Sequence, residues 1–221
     1  MKLLISALTK FLAGLVLVGV LLFLPAGTFR FPGAWRFICL LFGPMILLGT
    51  VLLVRSPALL EKRLSAREKE NAQKTVVGLS ALMFIGGFVL AGLDFRFGWS
   101  RMPGWVSTTA SIVLLLSYGL YAEVMRENAY LSRVIEVQEN QTVVDTGLYA
   151  VVRHPMYAIT CLLFLSIPVV LGSWWALILF LPYPALMAAR IKNEEAILEA
   201  QLPGYRAYTQ KVRFRMIPFI W

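Results

Sequence analysis

Reactive and charged side chains are scarce in this chain. Its 221 residues include one histidine, two cysteines and 12 acidic residues, and only 15% of the residues are charged. A single histidine excludes multi-histidine metal sites, and two isolated cysteines form neither a zinc-ligand spacing nor a disulfide framework. The sequence also lacks a Gly-x-Ser-x-Gly elbow, a Walker loop and a dinucleotide fingerprint. We therefore expect no metal and none of these soluble-enzyme chemistries.

Apolar residues make up most of what remains. The chain is 59% hydrophobic with a mean hydropathy of +0.73, and a soluble domain of this size could not bury so much apolar surface. One run is too long for a single membrane crossing and carries Gly172-Ser173 near its middle, which favours a helical hairpin. The other four are close to the ~20 residues that cross a bilayer. In order, the apolar runs lie at about 3–25, 35–54, 75–93, 105–125 and 157–189.

These runs predict an all-α integral membrane protein with about four transmembrane helices and a C-terminal transmembrane helical hairpin. We treat residues 1–221 as a single membrane domain. Residues 1–125 would supply transmembrane helices and an amphipathic loop at 55–74, where leucines and charges alternate at helical spacing. Residues 126–221 would form the part that binds a cofactor and carries the chemistry.

The basic residues predict the orientation. The net charge is +9, and 17 of the 21 lysines and arginines fall in the N-terminus, the 55–74 loop, the 126–156 segment and the chain after 189. These segments share one side in the predicted topology, which the positive-inside rule places in the cytoplasm. No nucleic-acid motif accompanies the charge, so we expect contacts with membrane lipids rather than with nucleic acid.

The only histidine stands where a polar segment meets an apolar run. Pro155 suits the first position of a helix, which would put His154 at the cap, with Arg153 beside it. Free N–H groups at such a helix start can bind a carboxylate or a phosphate. The β-rich stretch 134–145 before it could present backbone groups to a polar ligand. The same residues also fit purely structural roles. The 134–145 stretch could be an ordinary connecting loop, His154 a structural cap and Arg153 an interfacial anchor.

Arg190 and Glu194 follow at the end of the last apolar run. They are four positions apart and so share one helix face. A guanidinium can grip a carboxylate with two parallel hydrogen bonds, and a carboxylate can bind sugar hydroxyls or a cation. From the residues alone, a functional pair and a pair that anchors the helix at the interface are equally supported.

The C-terminal half resembles the isoprenylcysteine carboxyl methyltransferase family, whose wider superfamily includes phospholipid N-methyltransferases. Three motifs carry the resemblance, which covers about 130–221. They are Gln141-Thr-Val-Val-Asp-Thr-Gly-Leu-Tyr149-Ala-Val-Val-Arg-His154-Pro-Met-Tyr157, then Arg190-x-x-x-Glu194-Glu195, then Leu202-Pro-Gly-Tyr205-x-x-Tyr208 with a later Ile217-Pro218.

The resemblance implies a cofactor pocket for S-adenosyl-L-methionine at the cytosolic membrane face. It also implies that Arg190 holds the substrate and is the catalytic residue. A carboxylate acceptor needs no general base, whereas an amine acceptor would need one, for which Glu195 or a tyrosine is a candidate. The implied cofactor-binding residues are Gln138, Gln141, Thr142, Val143, Val144, Tyr149, His154, Pro155, Met156, Tyr157 and Glu194.

Together these features predict a membrane methyltransferase that acts on a lipophilic substrate drawn from the bilayer. The family name points to an isoprenylcysteine carboxylate, and the compact basic chain resembles prokaryotic members, which implies an inner or plasma membrane. A phospholipid amine is the alternative acceptor. A dinucleotide-dependent membrane reductase and a non-enzymatic membrane protein that keeps the pocket are further alternatives, which cofactor binding would separate.

Overall fold

A computed structural model of the chain describes residues 2–64, 71–128, 130–131 and 137–221. Within these ranges the fold is all-α, as predicted, with no strand. A short 3-10 helix, Gly147–Ala150, precedes the sixth α-helix. The α-helices of the described ranges are α1 (Lys2–Ala26), α2 (Pro32–Arg55), α3 (Pro57–Leu64), α4 (Asn71–Phe97), α5 (Gly104–Glu127), α6 (Pro155–Leu171), α7 (Trp174–Phe180), α8 (Tyr183–Gln201) and α9 (Tyr205–Lys211).

Five helical segments of the described ranges are long and apolar enough to cross a membrane. Four of them are α1, α2, α4 and α5, which correspond to the first four predicted runs. The fifth segment, Trp174–Gln201, combines α7 and α8, and it follows the shorter apolar helix α6. Gly172 ends α6 in the left-handed conformation, with φ of 83°, and reverses the chain. The predicted hairpin is therefore present, with its turn at Gly172-Ser173.

Two other local expectations have different outcomes. The 55–74 loop contains the helix α3, as its leucine spacing predicts, although residues 65–70 lie outside the described ranges. Residues 134–136 of the β-rich stretch also lie outside those ranges, and residues 137–145 form turns and irregular backbone instead of a strand. Backbone pairing with a neighbouring strand would be needed to hold this segment extended, and the described residues provide none.

The helices pack around α4 and α6. Helix α5 runs along α6, α1 runs along α4, and α7 and α8 also contact α4. The core contains large side chains with almost no exposed surface, including Phe37, Phe180 and Leu114. The outer faces of the long helices remain apolar and exposed, as expected for surfaces that face lipid.

Two glycines of α4 allow close helix contacts. A Cβ atom on Gly92 would lie 2.6 Å from the backbone oxygen of Leu22 in α1. One on Gly87 would lie 2.3 Å from the ring of Phe180 in α7. Small residues permit this kind of close approach between membrane helices, so these positions set the distances from α4 to α1 and to α7.

A buried carboxylate joins three parts of the chain at the Gly172 end of α6. Asp94, which is 2% exposed, accepts hydrogen bonds from the Ser100 backbone N–H at 2.7 Å and the Ser100 hydroxyl at 2.6 Å. It also accepts a hydrogen bond from the Ser173 hydroxyl. Ser173 in turn caps α7 by accepting from the Ala176 N–H at 3.0 Å. The hydrogen bonds join the end of α4, the loop that follows it and the turn of the hairpin.

Candidate functional site

A cavity lies at the opposite end of α6, where Pro155 begins the helix. It spans about 820 Å³ of space free of atoms, counting its opening to solvent. The wall comes from the end of α5, the 141–149 segment, the start of α6, the end of α8 and the start of α9. The lining residues are Asn128, Tyr130, Leu131, Gln141, Thr142, Val143, Val144, Tyr149, Arg153, His154, Met156, Tyr157, Glu194, Leu198, Leu202, Tyr205 and Tyr208.

The start of α6 has the form that the sequence predicts. Helix α6 begins at Pro155, and His154 occupies the cap position without a hydrogen bond from its side chain to the helix. The C-terminal segment holds this corner by backbone pairing. Arg153 N–H donates to the Phe214 oxygen at 2.9 Å, and His154 N–H donates to the Arg215 oxygen at 2.7 Å. The segment after α9 therefore forms part of the support for the cavity.

Glu195 lies at the centre of a buried charge network beside the cavity. Its carboxylate accepts hydrogen bonds from Arg153 Nε at 2.7 Å and from Arg215 Nε at 2.6 Å. The His154 Nε2 atom is 3.2 Å from the same carboxylate. Because two guanidinium groups already share this carboxylate, it is poorly suited to accept a proton from a substrate. The geometry argues against Glu195 as a general base.

Glu194 and Arg190 meet at a third side chain, Tyr157. The Tyr157 hydroxyl donates to Glu194 Oε2 at 2.5 Å and accepts from Arg190 Nε at 3.0 Å. The Arg190 guanidinium also lies 6.0 Å from the centre of the Tyr157 ring. Arg190 and Glu194 therefore lie on one helix face, as predicted, but their side chains are joined through Tyr157 of α6.

Five tyrosines contribute to the wall, and their hydroxyls differ in their partners. The Tyr130 hydroxyl donates to the Asn140 oxygen at 3.0 Å. Asn128 Nδ2 donates to the Tyr149 hydroxyl at 3.1 Å, and the Tyr208 hydroxyl donates to the Tyr149 backbone oxygen at 2.7 Å. The Tyr157 hydroxyl bonds Glu194 and Arg190. The Tyr205 hydroxyl is buried and has no hydrogen-bond partner among the described residues. Burial raises the pKa of Tyr205 and of Tyr208 above the ordinary range, so both are phenols at neutral pH.

The 3-10 helix that carries Tyr149 is held by a carboxylate from α5. Glu127 Oε2 accepts from the Leu148 N–H at 3.1 Å. Gly147 makes this contact possible, because it has φ of 53° and a Cβ atom there would overlap the Glu127 side chain. A glycine that tolerates positive φ thus allows the end of α5 to fix the Tyr149 side of the cavity.

Nine of the predicted site residues line the cavity, and three do not. Gln138 lies beside the wall, where its Nε2 donates to the Tyr130 oxygen at 2.5 Å and its N–H donates to Gln141 Oε1 at 2.9 Å. Pro155 begins α6, and Arg190 reaches the site through Tyr157. The predicted residues in the wall are Gln141, Thr142, Val143, Val144, Tyr149, His154, Met156, Tyr157 and Glu194.

Sequence reasoning missed about half of the wall. Tyr205 and Tyr208 carried a usable signal, because they are three positions apart on one helix face within the third motif. We considered Arg153 only as a charge near His154. Its ion pair with Glu195 could not be predicted, because the two residues are far apart in the sequence. The other lining residues that we did not predict are Asn128, Tyr130, Leu131, Leu198 and Leu202.

The arrangement offers aromatic faces, one carboxylate and an imidazole around a space with polar and apolar walls. Such a site suits a small ligand that carries both a cation and polar groups. In the described part of the chain, no cluster of three histidine, cysteine or acidic side chains could hold a metal ion.

Comparison with known proteins matches part of the chain to one family. Residues 105–203 match the family model described as phospholipid methyltransferase. The matched region runs from α5 to the end of α8 and contains every lining residue except Tyr205 and Tyr208. A search of curated proteins found no match. Residues 105–203 are therefore similar to the phospholipid methyltransferase family, part of the membrane methyltransferase superfamily that includes the isoprenylcysteine carboxyl methyltransferases.

Proposed function

We propose that this protein is an S-adenosyl-L-methionine-dependent methyltransferase that methylates a lipophilic acceptor from the bilayer. The observation that carries the proposal is the cavity at the start of α6, which lies almost wholly inside the matched region and joins the motifs at 141–157 and 190–195. The ends of α5, α6 and α8 contribute to its wall, so an acceptor with a long apolar part could reach it from the lipid.

The lining residues fit this cofactor. S-adenosylmethionine supplies a methyl group on a positively charged sulfur. Tyrosine faces attract a cation of this kind, and the Glu194 carboxylate adds the opposite charge. The His154 ring can offer an N–H to the amino-acid carboxylate. Residues 141–144 and Met156 would enclose the nucleoside, with Gln138 holding the 141 loop in place.

The Tyr157 hydroxyl supports a division of the site into two sides. It lies between Glu194, which lines the cavity, and Arg190, which does not. We infer that the cofactor lies on the Glu194 side and that Arg190 holds the acceptor on the other. Methyl transfer is an in-line displacement, so the main contributions of the protein are alignment and exclusion of water.

A carboxylate such as that of isoprenylcysteine is the acceptor that these residues favour. A carboxylate is a nucleophile at neutral pH, and a guanidinium can orient it with paired hydrogen bonds. No base is needed, which agrees with the commitment of Glu195 to Arg153 and Arg215. The methyl group would pass to a carboxylate oxygen, leaving S-adenosylhomocysteine and a methyl ester.

A phospholipid amine is the second candidate, and the description of the matched family favours it. An amine is protonated at neutral pH and must lose a proton before or during the transfer. Glu194 is the carboxylate of the cavity wall that could take it. For either acceptor, we propose that the cavity faces the cytoplasm, because the basic residues cluster on that side of the predicted topology.

Calorimetric titration of detergent-purified protein with S-adenosylhomocysteine tests the cofactor. We expect binding by the wild type and by a Glu199→Ala control, in which an exposed side chain of α8 is removed. We expect binding to be lost in a His154→Ala/Glu194→Ala variant that still unfolds cooperatively. Failure of well-folded wild type to bind would refute the proposal and would favour a dinucleotide cofactor, to be titrated next.

Methyl transfer to lipid extracts then separates the two acceptors. The protein is incubated with S-adenosylmethionine labelled in the methyl group, and the labelled lipids are treated with alkali. A methyl ester releases volatile labelled methanol, whereas an N-methyl group stays on the non-volatile headgroup. Alkali-labile label supports the carboxylate, and alkali-stable label supports the phospholipid amine.

A further inference from the structure

The Tyr205 hydroxyl is the polar group of the cavity wall whose surroundings call for a ligand. Tyr205 is 4% exposed, and its hydroxyl has no hydrogen-bond partner in the described part of the chain. The hydroxyls of the other wall tyrosines, Tyr130, Tyr149, Tyr157 and Tyr208, each have at least one. Buried polar groups are nearly always paired, so one left unpaired at the edge of a cavity indicates a partner that enters the cavity.

The ring of Tyr205 is held firmly in place. Its N–H donates to the Leu202 oxygen at 3.2 Å, and Gly204 precedes it with φ of 85° at a sharp turn. Its ring centre lies 5.7 Å from that of Tyr208, within a buried cluster that also contains Val212. The hydroxyl therefore cannot swing to the surface to bond water without breaking this packing.

The charged side chains that affect the pKa of Tyr205 indicate the end of the cavity at which its hydroxyl lies. Burial raises the pKa of Tyr205, and the Glu195 and Glu194 carboxylates raise it further against the opposing effect of Arg153. Tyr205 thus remains a hydrogen-bond donor at any physiological pH. Glu195 contacts His154, and Arg153 precedes His154 in the chain and pairs with Glu195. The charged amino-acid portion of the cofactor is expected to lie beside His154.

We propose that Tyr205 is a further cofactor-binding residue, whose hydroxyl donates a hydrogen bond to the carboxylate of the amino-acid portion of the S-adenosyl ligand. The inference rests on the proposed function. It also explains why the part of the third motif that lies beyond the matched region contributes a side chain to the cavity.

Titration of a Tyr205→Phe variant with S-adenosylhomocysteine provides the test. We expect its affinity to be roughly 3- to 10-fold below that of the wild type, which corresponds to one hydrogen bond. The ligand-free variant should melt at the wild-type temperature or above, because the lost hydroxyl bonds nothing in the described structure. A merely structural role would instead lower the melting temperature and leave the affinity unchanged.

Tyr118→Phe is the matched control. The Tyr118 hydroxyl donates to the Leu41 oxygen at 3.1 Å, away from the cavity wall. This variant should lose stability without losing affinity, which is the opposite pattern. As a probe of position, 5′-methylthioadenosine lacks the amino-acid portion, so it should bind Tyr205→Phe and wild type equally.

Each alternative result has a distinct meaning. Equal affinity of Tyr205→Phe and wild type for S-adenosylhomocysteine overturns the inference and leaves the proposed function standing. A matching loss for 5′-methylthioadenosine overturns the assignment to the amino-acid portion. No binding by folded wild type overturns the proposed function itself. Tyr205→Met is a second variant with the same expected loss, should the phenylalanine variant not purify.

Discussion

Arg153 and Glu195 are 42 positions apart in the chain and form a buried ion pair, with 2.7 Å between Nε and Oε1. The pair joins the residue before the α6 cap to the middle of α8. Arg153 also donates to the backbone oxygens of Val212 and Arg213. One carboxylate thus holds together three segments that surround the candidate cofactor cavity.

Removal of this carboxylate should be costly. In Glu195→Ala, the Arg153 guanidinium would remain buried without its ionic partner. Loss of one partner of a buried pair costs about 3–5 kcal/mol of unfolding free energy. We expect a large fall in the melting temperature measured in detergent, together with weaker binding of S-adenosylhomocysteine.

Glu199→Ala is the matched control for this substitution. Glu199 lies one turn later on α8 and is exposed, so its removal should change the melting temperature little. Equal melting temperatures for the Glu195 and Glu199 variants would contradict the role of the buried network.

Arg190 should separate cofactor binding from methyl transfer. We expect Arg190→Ala to lower kcat/KM for methyl transfer by about 10- to 100-fold, the range for a lost hydrogen bond to a charged group. Affinity for S-adenosylhomocysteine should change much less, because Arg190 is outside the cavity wall. Lys192→Ala, an exposed cation of the same helix, should retain activity. Full activity of Arg190→Ala would rule out the acceptor role.

The contact between α4 and α7 predicts opposite outcomes for adjacent glycines. A Cβ atom on Gly87 would lie 2.3 Å from the ring of Phe180, which is 1% exposed and cannot move away. We expect Gly87→Ala to destabilise the protein by about 1–3 kcal/mol, as overpacking does. Gly86→Ala would only bring a Cβ atom to 3.6 Å from Leu179 and should be neutral. Thermal unfolding of both variants checks this, and equal losses would refute the packing.

The buried phenol of Tyr208 should make stability fall at alkaline pH. Burial raises its pKa in the folded state above the unfolded value of about 10. The neutral phenol therefore makes its full contribution to the free energy of unfolding below the unfolded pKa. That contribution is lost as the pH rises through the folded pKa. Unfolding measured between about pH 8 and 11 should show a smaller alkaline loss in Tyr208→Phe than in wild type. Identical pH profiles would contradict the shift.

Hydropathy predicted the fold well, because lipid imposes a simple requirement. Every backbone polar group in a bilayer must be satisfied within its own segment, so apolar runs of sufficient length become helices. The break between α7 and α8 was less visible. Only the folded chain shows two helices with Leu181 and Pro182 between them.

The site residues that lie within one sequence motif could be predicted, whereas contacts between residues distant in the sequence could not. The stretch around His154 and the Arg190/Glu194 spacing can be read in one window of sequence. The bond from Tyr157 to Glu194 joins positions 37 apart, and the Arg215 contact with Glu195 depends on how the last segment folds back. Helical periodicity contains no information on such pairings.

The Asp94 cluster determines where this bundle can open. It joins α4, the Ser100 loop and the hairpin turn at one end of α6, roughly 25 Å from the cavity at the other. The cavity is already open to solvent, so separation of the helices would serve the entry of a lipophilic acceptor, and the end that Asp94 holds resists such separation. We therefore expect the helices to splay about a fixed point near Ser173, so that the entrance widens toward the Pro155 end while the opposite membrane face stays sealed.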